Sequence, residues 1–206
     1  MYCIRYFGSN FLPFLFTPNH PTPPYTTLYN PIQREVLLHN PTQPYTKHME
    51  IIIDKIKYDL RPAENGAYVV ENHYSGEVCI PAEIQWDGMT IPVIGIQEDA
   101  FYACDDVTSV TLPDGLITIE KRAFDSMSGP KEIIIPETVL YIVQASFSDC
   151  ENLHQVTLPS QLGHLPADLF ESCGALEKII IPQGVKTIGD GCFAACKNLK
   201  TVVLPE

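Results

Sequence analysis

The sequence lacks positive charge: its 206 residues hold 13 Lys and Arg against 25 Asp and Glu, a formal net charge of −12. Proteins that bind nucleic acid present a basic face to the phosphates, so a nucleic-acid partner is not expected. The sequence also lacks any stretch that approaches the roughly 18 consecutive apolar residues typical of a membrane-spanning helix. We therefore expect no transmembrane span.

Motifs for metal binding or catalysis are also missing. The acidic pair Asp105-Asp106 has no D-x-D-x-D-G loop or other spacing of oxygen ligands around it. Cys192 and Cys196 stand four apart without the His or second close pair of Cys that a zinc site needs. No catalytic Ser, Cys or carboxylate can be placed beside His154 or His164. We expect no enzymatic activity, cofactor or metal.

A fixed period organises the second half of the chain. Phenylalanines recur every 23 residues, and prolines recur twelve residues after them. These positions are Phe101, Phe124, Phe147, Phe170 and Phe193, then Pro113, Pro136, Pro159, Pro182 and Pro205. A period between 20 and 50 residues indicates stacked, near-identical units. The five units are residues 92–115, 116–138, 139–161, 162–184 and 185–206.

Each unit repeats the same apolar columns, as in Val156 and Leu158, which stand nine and eleven residues after Phe147. Alternate residues of a strand point to one face, so this pair predicts a short strand with an inward side. The Pro that follows has no N–H and ends the strand. Successive strands are predicted to stack in parallel, about 4.8 Å apart. The Ala-Phe-x-x-Cys segment is predicted to form one or two helical turns on the opposite side.

The pattern I-x-x-x-A-F-x-x-C-x-x-L-x-x-V-x-L-P resembles the BspA-like leucine-rich repeat family, and residues 188–199 are similar to its consensus almost throughout. The resemblance covers about residues 68–206. It implies a right-handed leucine-rich repeat β-solenoid, mainly β with short helical turns. It also implies a non-enzymatic binding protein, surface-exposed or secreted and often adhesive, from a host-associated microbe. One unit departs, because Met127 replaces the Cys and Pro130 the Leu, which predicts an irregular convex side.

The residues before the repeats divide at Met49. Residues 49–91 are predicted to form a β-rich cap, with strands over 51–60 and 67–71 and a hairpin at Asp87-Gly88. Residues 1–48 hold eight prolines and no sustained periodicity, which predicts a disordered segment. Their start makes a poor signal peptide, because its apolar core is short. Met49 raises the alternative that residues 1–48 are a wrongly extended reading frame.

Four cysteines share one column, three residues after the Phe: Cys104, Cys150, Cys173 and Cys196. Neighbours in this column would lie near disulfide range, but stacked side chains run parallel, whereas a disulfide needs converging Cβ atoms. Buried free thiols are therefore predicted.

The outward residues of the predicted long sheet are the candidate partner-binding residues, and we call them the long-sheet face. They are Ser109, Thr111, Glu132, Ile134, Gln155, Thr157, Lys178, Ile180, Thr201 and Val203. Solenoids use such extended faces for recognition. The apolar members, flanked by hydroxyls and a few charges, predict docking of a protein, with a host extracellular protein as one candidate. The competing explanation is that β-branched residues suit strands wherever they stand.

Three functions stay open. The family resemblance favours a surface or secreted adhesion-type module. The poor signal peptide and the predicted free cysteines favour an intracellular, cytoplasmic interaction scaffold. The abrupt stop at Glu206 favours spacer repeats of a longer surface protein. The stop directly follows a repeat strand, so we expect truncation, self-association of two uncapped ends, or an edge blunted by Pro205 and Glu206.

Overall fold

The computed structural model describes residues 48–205, and they are almost entirely strands and turns. The strands are β1 (Met49–Ile53), β2 (Ile56–Arg61), β3 (Gly66–Val69), β4 (Gly76–Cys79), β5 (Glu83–Trp86), β6 (Met89–Ile96), β7 (Val107–Thr111), β8 (Thr118–Ile119), β9 (Glu132–Ile134), β10 (Tyr141–Ile142), β11 (Gln155–Thr157), β12 (His164–Leu165), β13 (Lys178–Ile180), β14 (Thr187–Ile188) and β15 (Thr201–Val203). A single 3-10 turn, Pro62–Glu64, is the helical element of the described residues. The predicted disordered segment lies outside these residues except for His48.

A three-stranded antiparallel meander, β1-β2-β3, opens the described chain. Our prediction of one strand over 51–60 is wrong, because the chain folds back at Asp54 and Lys55, whose φ angles are 48° and 70°. A type I′ hairpin turn needs positive φ at both central residues and is usually signalled by Asn-Gly or Asp-Gly, so the Asp-Lys sequence did not indicate it. The predicted hairpin at Asp87-Gly88 is present, with β5 and β6 paired across it.

Two parallel ladders then run along the repeats. The first continues a seven-stranded sheet in the order β1-β2-β3-β6-β8-β10, with β5 on β6, and β12 pairs with β14 in the equivalent positions of later units. The second holds the longer strands and pairs β4 with β7, β9 with β11, and β13 with β15. Strand β4 belongs to the predicted cap, so the cap supplies the first strand of the second ladder. The predicted β-solenoid is confirmed.

The phenylalanines form one aromatic stack along the core. Adjacent ring centroids lie between 5.0 and 5.9 Å apart, and the planes differ by 6° to 21°. The first four rings are fully buried, and Phe193 is half-buried. Tyr74 adds a further ring, 4.5 Å from Phe101, and its hydroxyl donates to the Val70 carbonyl at 2.6 Å. The stack therefore begins in the cap and joins it to the repeats.

The Ala-Phe-x-x-Cys segments form hydrogen-bonded turns in place of the predicted helical turns. The residues two before and two after each Phe have positive φ, between 51° and 67°. Alternate N–H groups therefore point to the next unit: Phe124 N donates to Ser146 O at 2.8 Å and Ser126 N to Ser148 O at 2.9 Å. An α-helix directs its N–H groups to carbonyls of its own segment. Hydrogen bonds to the next unit thus take the place of the hydrogen bonds within the predicted helical turns.

The unit with Met127 and Pro130 has the predicted irregular convex side. Other units form a second turn after the Cys position, where, for example, Leu153 N donates to Cys150 O at 3.1 Å. Pro130 occupies the position equivalent to Leu153 and has no N–H to donate. Residues 127–131 consequently lack that turn.

Candidate functional site

The structure places all ten residues of the long-sheet face on the outward side of the second ladder, and each is exposed. The alternation of a strand causes this placement, because the residues between them point inward. Val110, Ile133, Val156 and Ile179 are the buried partners. The strand register places Glu132 beside Gln155, and Lys178 beside Thr201. Equivalent residues of successive units therefore form rows. The role of this face in binding stays a prediction.

The long-sheet face has two rows of different chemistry. One row is polar, and in it the Gln155 side-chain amide donates to the Glu132 carboxylate at 3.1 Å. The other row alternates hydroxyl and apolar side chains, with Ile134 57% and Ile180 59% exposed. Small-molecule sites are concave and bury most of their ligand, whereas this double row is exposed along several units.

The two histidines of the repeats take part in local contacts. His154 Nδ1 lies 2.7 Å from the Asn152 carbonyl oxygen, and His164 Nδ1 lies 2.7 Å from the Thr187 hydroxyl. Both side chains are exposed. Within residues 48–205, no group of three His, Cys, Asp or Glu side chains is arranged to hold a metal ion. In the same residues, no helix has the length and apolarity to cross a bilayer.

The predicted column of free thiols is confirmed, with Cys196 half-buried and the other three buried. The thiols of Cys150, Cys173 and Cys196 each donate to the carbonyl of the Phe in the preceding unit, at 3.0 to 3.1 Å. Burial raises the pKa of Cys196 to about 11 and that of Cys192 to about 12. The thiolate is the reactive form of cysteine, so the Cys192 and Cys196 thiols stay in the unreactive protonated form at neutral pH.

A second exposed apolar group, which the sequence did not predict, lies on the outward side of β8 and β10. Its members are Ile117, Leu140, Tyr141 and Val143. They stand in columns that change character between units: the Leu140 column continues with Gly163 and Lys186, and the Tyr141 column with His164 and Thr187. Such columns give no repeated apolar signal, so a comparison of units does not single these residues out. A scan for apolar residues within one or two adjacent units would have found the group.

This architecture is that of a leucine-rich repeat solenoid: short strands stack in parallel, an aromatic stack fills the core, and a double row of side chains is exposed on the second ladder. Residues 90–206 match the family model described as "BspA type Leucine rich repeat region" in six copies, and the chain belongs to this family. We predicted five units of 23 residues, one fewer than the copies counted by this model. No curated protein matches the chain.

The chain is similar to solved structures of bacterial leucine-rich repeat proteins. A leucine-rich repeat protein of T. pallidum is 30% identical with a TM-score of 0.64, over 75% of this chain and 71% of that one. The pneumococcal vaccine antigen PcpA is 22% identical with a TM-score of 0.58, over 77% of this chain and 50% of that one. A leucine-rich repeat protein of Bacteroides ovatus is 25% identical with a TM-score of 0.48, over 75% and 53%. The chain thus spans about half the length of the last two.

Proposed function

We propose that this chain is a non-enzymatic binding module that docks a protein partner on the long-sheet face, as an adhesion-type protein at the cell surface or in secreted form. The observation that carries the proposal is the continuous exposed row that includes Ile134, Ile180 and Val203. Membership of the BspA-type family supports a role in protein interaction. A host extracellular protein is the partner class that fits a surface location.

The chemistry of this face favours weak to moderate affinity. Ile134 and Ile180 are β-branched side chains with few rotamers, so they lose little conformational entropy when a partner covers them. Full burial of such a side chain contributes roughly 1.5–3 kcal/mol. Glu132 and Lys178 stand beside them in the polar row and supply charges of both signs. Those charges orient a partner more than they increase its affinity.

The double substitution Ile134→Glu and Ile180→Glu is expected to abolish partner capture without unfolding the chain. Both side chains are exposed, so a carboxylate in their place stays hydrated in the free protein but loses its water in a complex. Capture of a partner from extracts of the source organism and its host is measured with the chain immobilised, and circular dichroism checks the fold. Ile52→Glu, at a residue 56% exposed in β1, is the matched control. Unchanged capture by the double variant would refute the site.

An intracellular interaction scaffold is the second candidate function. The free thiols at Cys104, Cys150, Cys173, Cys192 and Cys196 favour it, because reduced cysteines are typical of the cytosol. Cell fractionation with an antibody against the repeats separates the two locations, and the length of the full gene tests the role of spacer repeats. Self-association through the last described unit also stays a proposal. Its exposed apolar residues are Ile188, Val202, Val203 and Leu204, and light scattering measures self-association.

A further inference from the structure

A compact apolar surface lies on the first ladder, separate from the long-sheet face. Ile117 is 40% exposed, Leu140 52%, Tyr141 64% and Val143 39%. They belong to two adjacent units joined by backbone hydrogen bonds. In one of these bonds Leu140 N donates to Ile117 O at 2.9 Å. We call these four residues the β8–β10 patch. Contiguous apolar patches on a folded protein mark interaction sites, whereas single exposed apolar residues need no explanation.

The patch has the composition of a docking site. Tyr141 offers an aromatic ring with a polar tip, the kind of side chain that dominates binding energy at protein interfaces. One unit further on, the column of Leu140 continues with Gly163, and a Cβ at Gly163 would meet no atom within 4 Å. The position next to Leu140 in this column therefore carries no side chain and is open to solvent. An apolar side chain of a partner can lie over Gly163 and contact Leu140.

Acidic side chains border the β8–β10 patch. Glu120 precedes Val143 by one unit in the same column, while Asp114 and Glu137 stand at the corners that lead into Leu116 and Val139. The Ser160 hydroxyl and N–H donate to the Glu137 carboxylate at 2.7 and 2.8 Å, and these bonds lower the pKa of Glu137.

The ion pairs near this border leave it acidic. Arg61 approaches Glu120 at 3.7 Å, but the same guanidinium also pairs with Asp59 and Glu64. The cluster stays net negative, because one guanidinium faces three carboxylates, and Lys121 is the exposed cation next to Glu120. A partner that covers the apolar centre meets net negative charge around it. Cationic side chains on the partner complement that charge and speed association.

We propose that the β8–β10 patch is a second docking surface, whose occupant is a basic segment of another protein with apolar anchor residues between its Lys or Arg side chains. The apolar anchors contact Leu140 and Tyr141, and the cations face Asp114, Glu120 and Glu137. This surface acts independently of the long-sheet face, so the chain can hold two partners, or two regions of one partner, on different sides of the solenoid.

The test uses the full ¹⁵N-labelled chain and a synthetic twelve-residue peptide, Lys-Leu-Ser repeated four times. The peptide is expected to shift the amide resonances of Ile117, Leu140, Tyr141 and Val143. The double variant Leu140→Ser with Tyr141→Ser should raise Kd at least tenfold. The matched control, Ile134→Ser with Ile180→Ser on the long-sheet face, should change Kd less than twofold. A peptide with Glu in place of each Lys should not bind, and one with Ser in place of each Leu should bind at least tenfold more weakly.

Three results would overturn the proposal. One is absence of peptide binding at millimolar concentration. Another is equal weakening by the two double variants, which would mean diffuse charge attraction to an acidic protein. The third is concentration-dependent dimerisation of the full chain that Leu140→Ser with Tyr141→Ser abolishes, because a second copy would then be the occupant. The four residues substituted in these variants are exposed, as are Ile117 and Val143, whose resonances are followed. Circular dichroism should therefore show the same fold in each variant.

Discussion

Phe147→Ala is expected to lower the free energy of unfolding by about 3–5 kcal/mol, the usual cost of removing a buried ring. The Phe147 side chain is fully buried, with Phe124 stacked at 5.0 Å on one side and Phe170 at 5.8 Å on the other. The substitution removes the burial of the ring and both aromatic contacts, and it leaves a cavity in the middle of the stack. Native domains are stable by only about 5–15 kcal/mol, so the loss is a large fraction of the total.

Urea unfolding followed by circular dichroism measures this loss, and the melting temperature should fall by roughly 6–20 °C. Phe193→Ala is the matched control, because Phe193 is half-buried and has one stacked neighbour, Phe170. Its cost should be less than half that of Phe147→Ala. In a stacked array each unit contacts only its neighbours, so loss of a central ring also uncouples the units on either side. Equal costs at the two positions would contradict the role of the stack.

Gly129→Ala is expected to destabilise the chain by about 3 kcal/mol, at the upper end of the cost of overpacking. A Cβ at Gly129 would lie 1.6 Å from the Val107 carbonyl oxygen and 2.7 Å from its carbonyl carbon. Val107 is fully buried at the start of β7, so the collision displaces backbone and cannot be relieved by rotation of a side chain. Gly129 lies in the irregular unit, directly before Pro130, where the chain runs against the preceding unit.

Gly163→Ala provides the control for this substitution. A Cβ at Gly163 would meet no atom within 4 Å, and its φ is not positive. Replacing Gly by Ala at such a position restricts the unfolded chain and is expected to stabilise by about 0.4–1 kcal/mol. The two variants carry the same chemical change, so the difference between their melting curves isolates the backbone collision. Similar stability of the two would show that the preceding unit adapts freely at Val107.

The period of Phe and Pro predicted the burial of the core, because columns held apolar in every unit must face inward. Tyr74 was missed because it stands 27 residues before Phe101, outside the 23-residue spacing, and it enters the stack only through the fold of the cap. The left-handed turns were also missed. Most of them use Ala, Ser or Arg, which give no sign of positive φ, and they form because neighbouring units supply the hydrogen-bond acceptors.

The two surfaces differ in how far the sequence predicts them. The long-sheet face follows from strand alternation, since outward positions are set once the inward columns are known. The β8–β10 patch depends on Leu140, Tyr141 and Ile117 lying side by side in two units, and the equivalent residues of later units are Gly, His, Lys or Thr. Averaging over units hides a feature that belongs to only two of them. Local recognition surfaces of repeat proteins need the stacked neighbours to be considered pairwise.

Photo-crosslinking tests most directly whether the long-sheet face recognises a partner. A benzophenone amino acid is placed at Thr157, the central exposed position of the row that also holds Ile134 and Ile180. In a second variant it is placed at Glu151, an exposed residue on the convex side of the same unit. Irradiation of the full chain in its source cells, with and without host material, should give a discrete crosslinked species from Thr157 and none from Glu151. The same species from both positions, or no crosslink from Thr157, would contradict recognition through the long-sheet face.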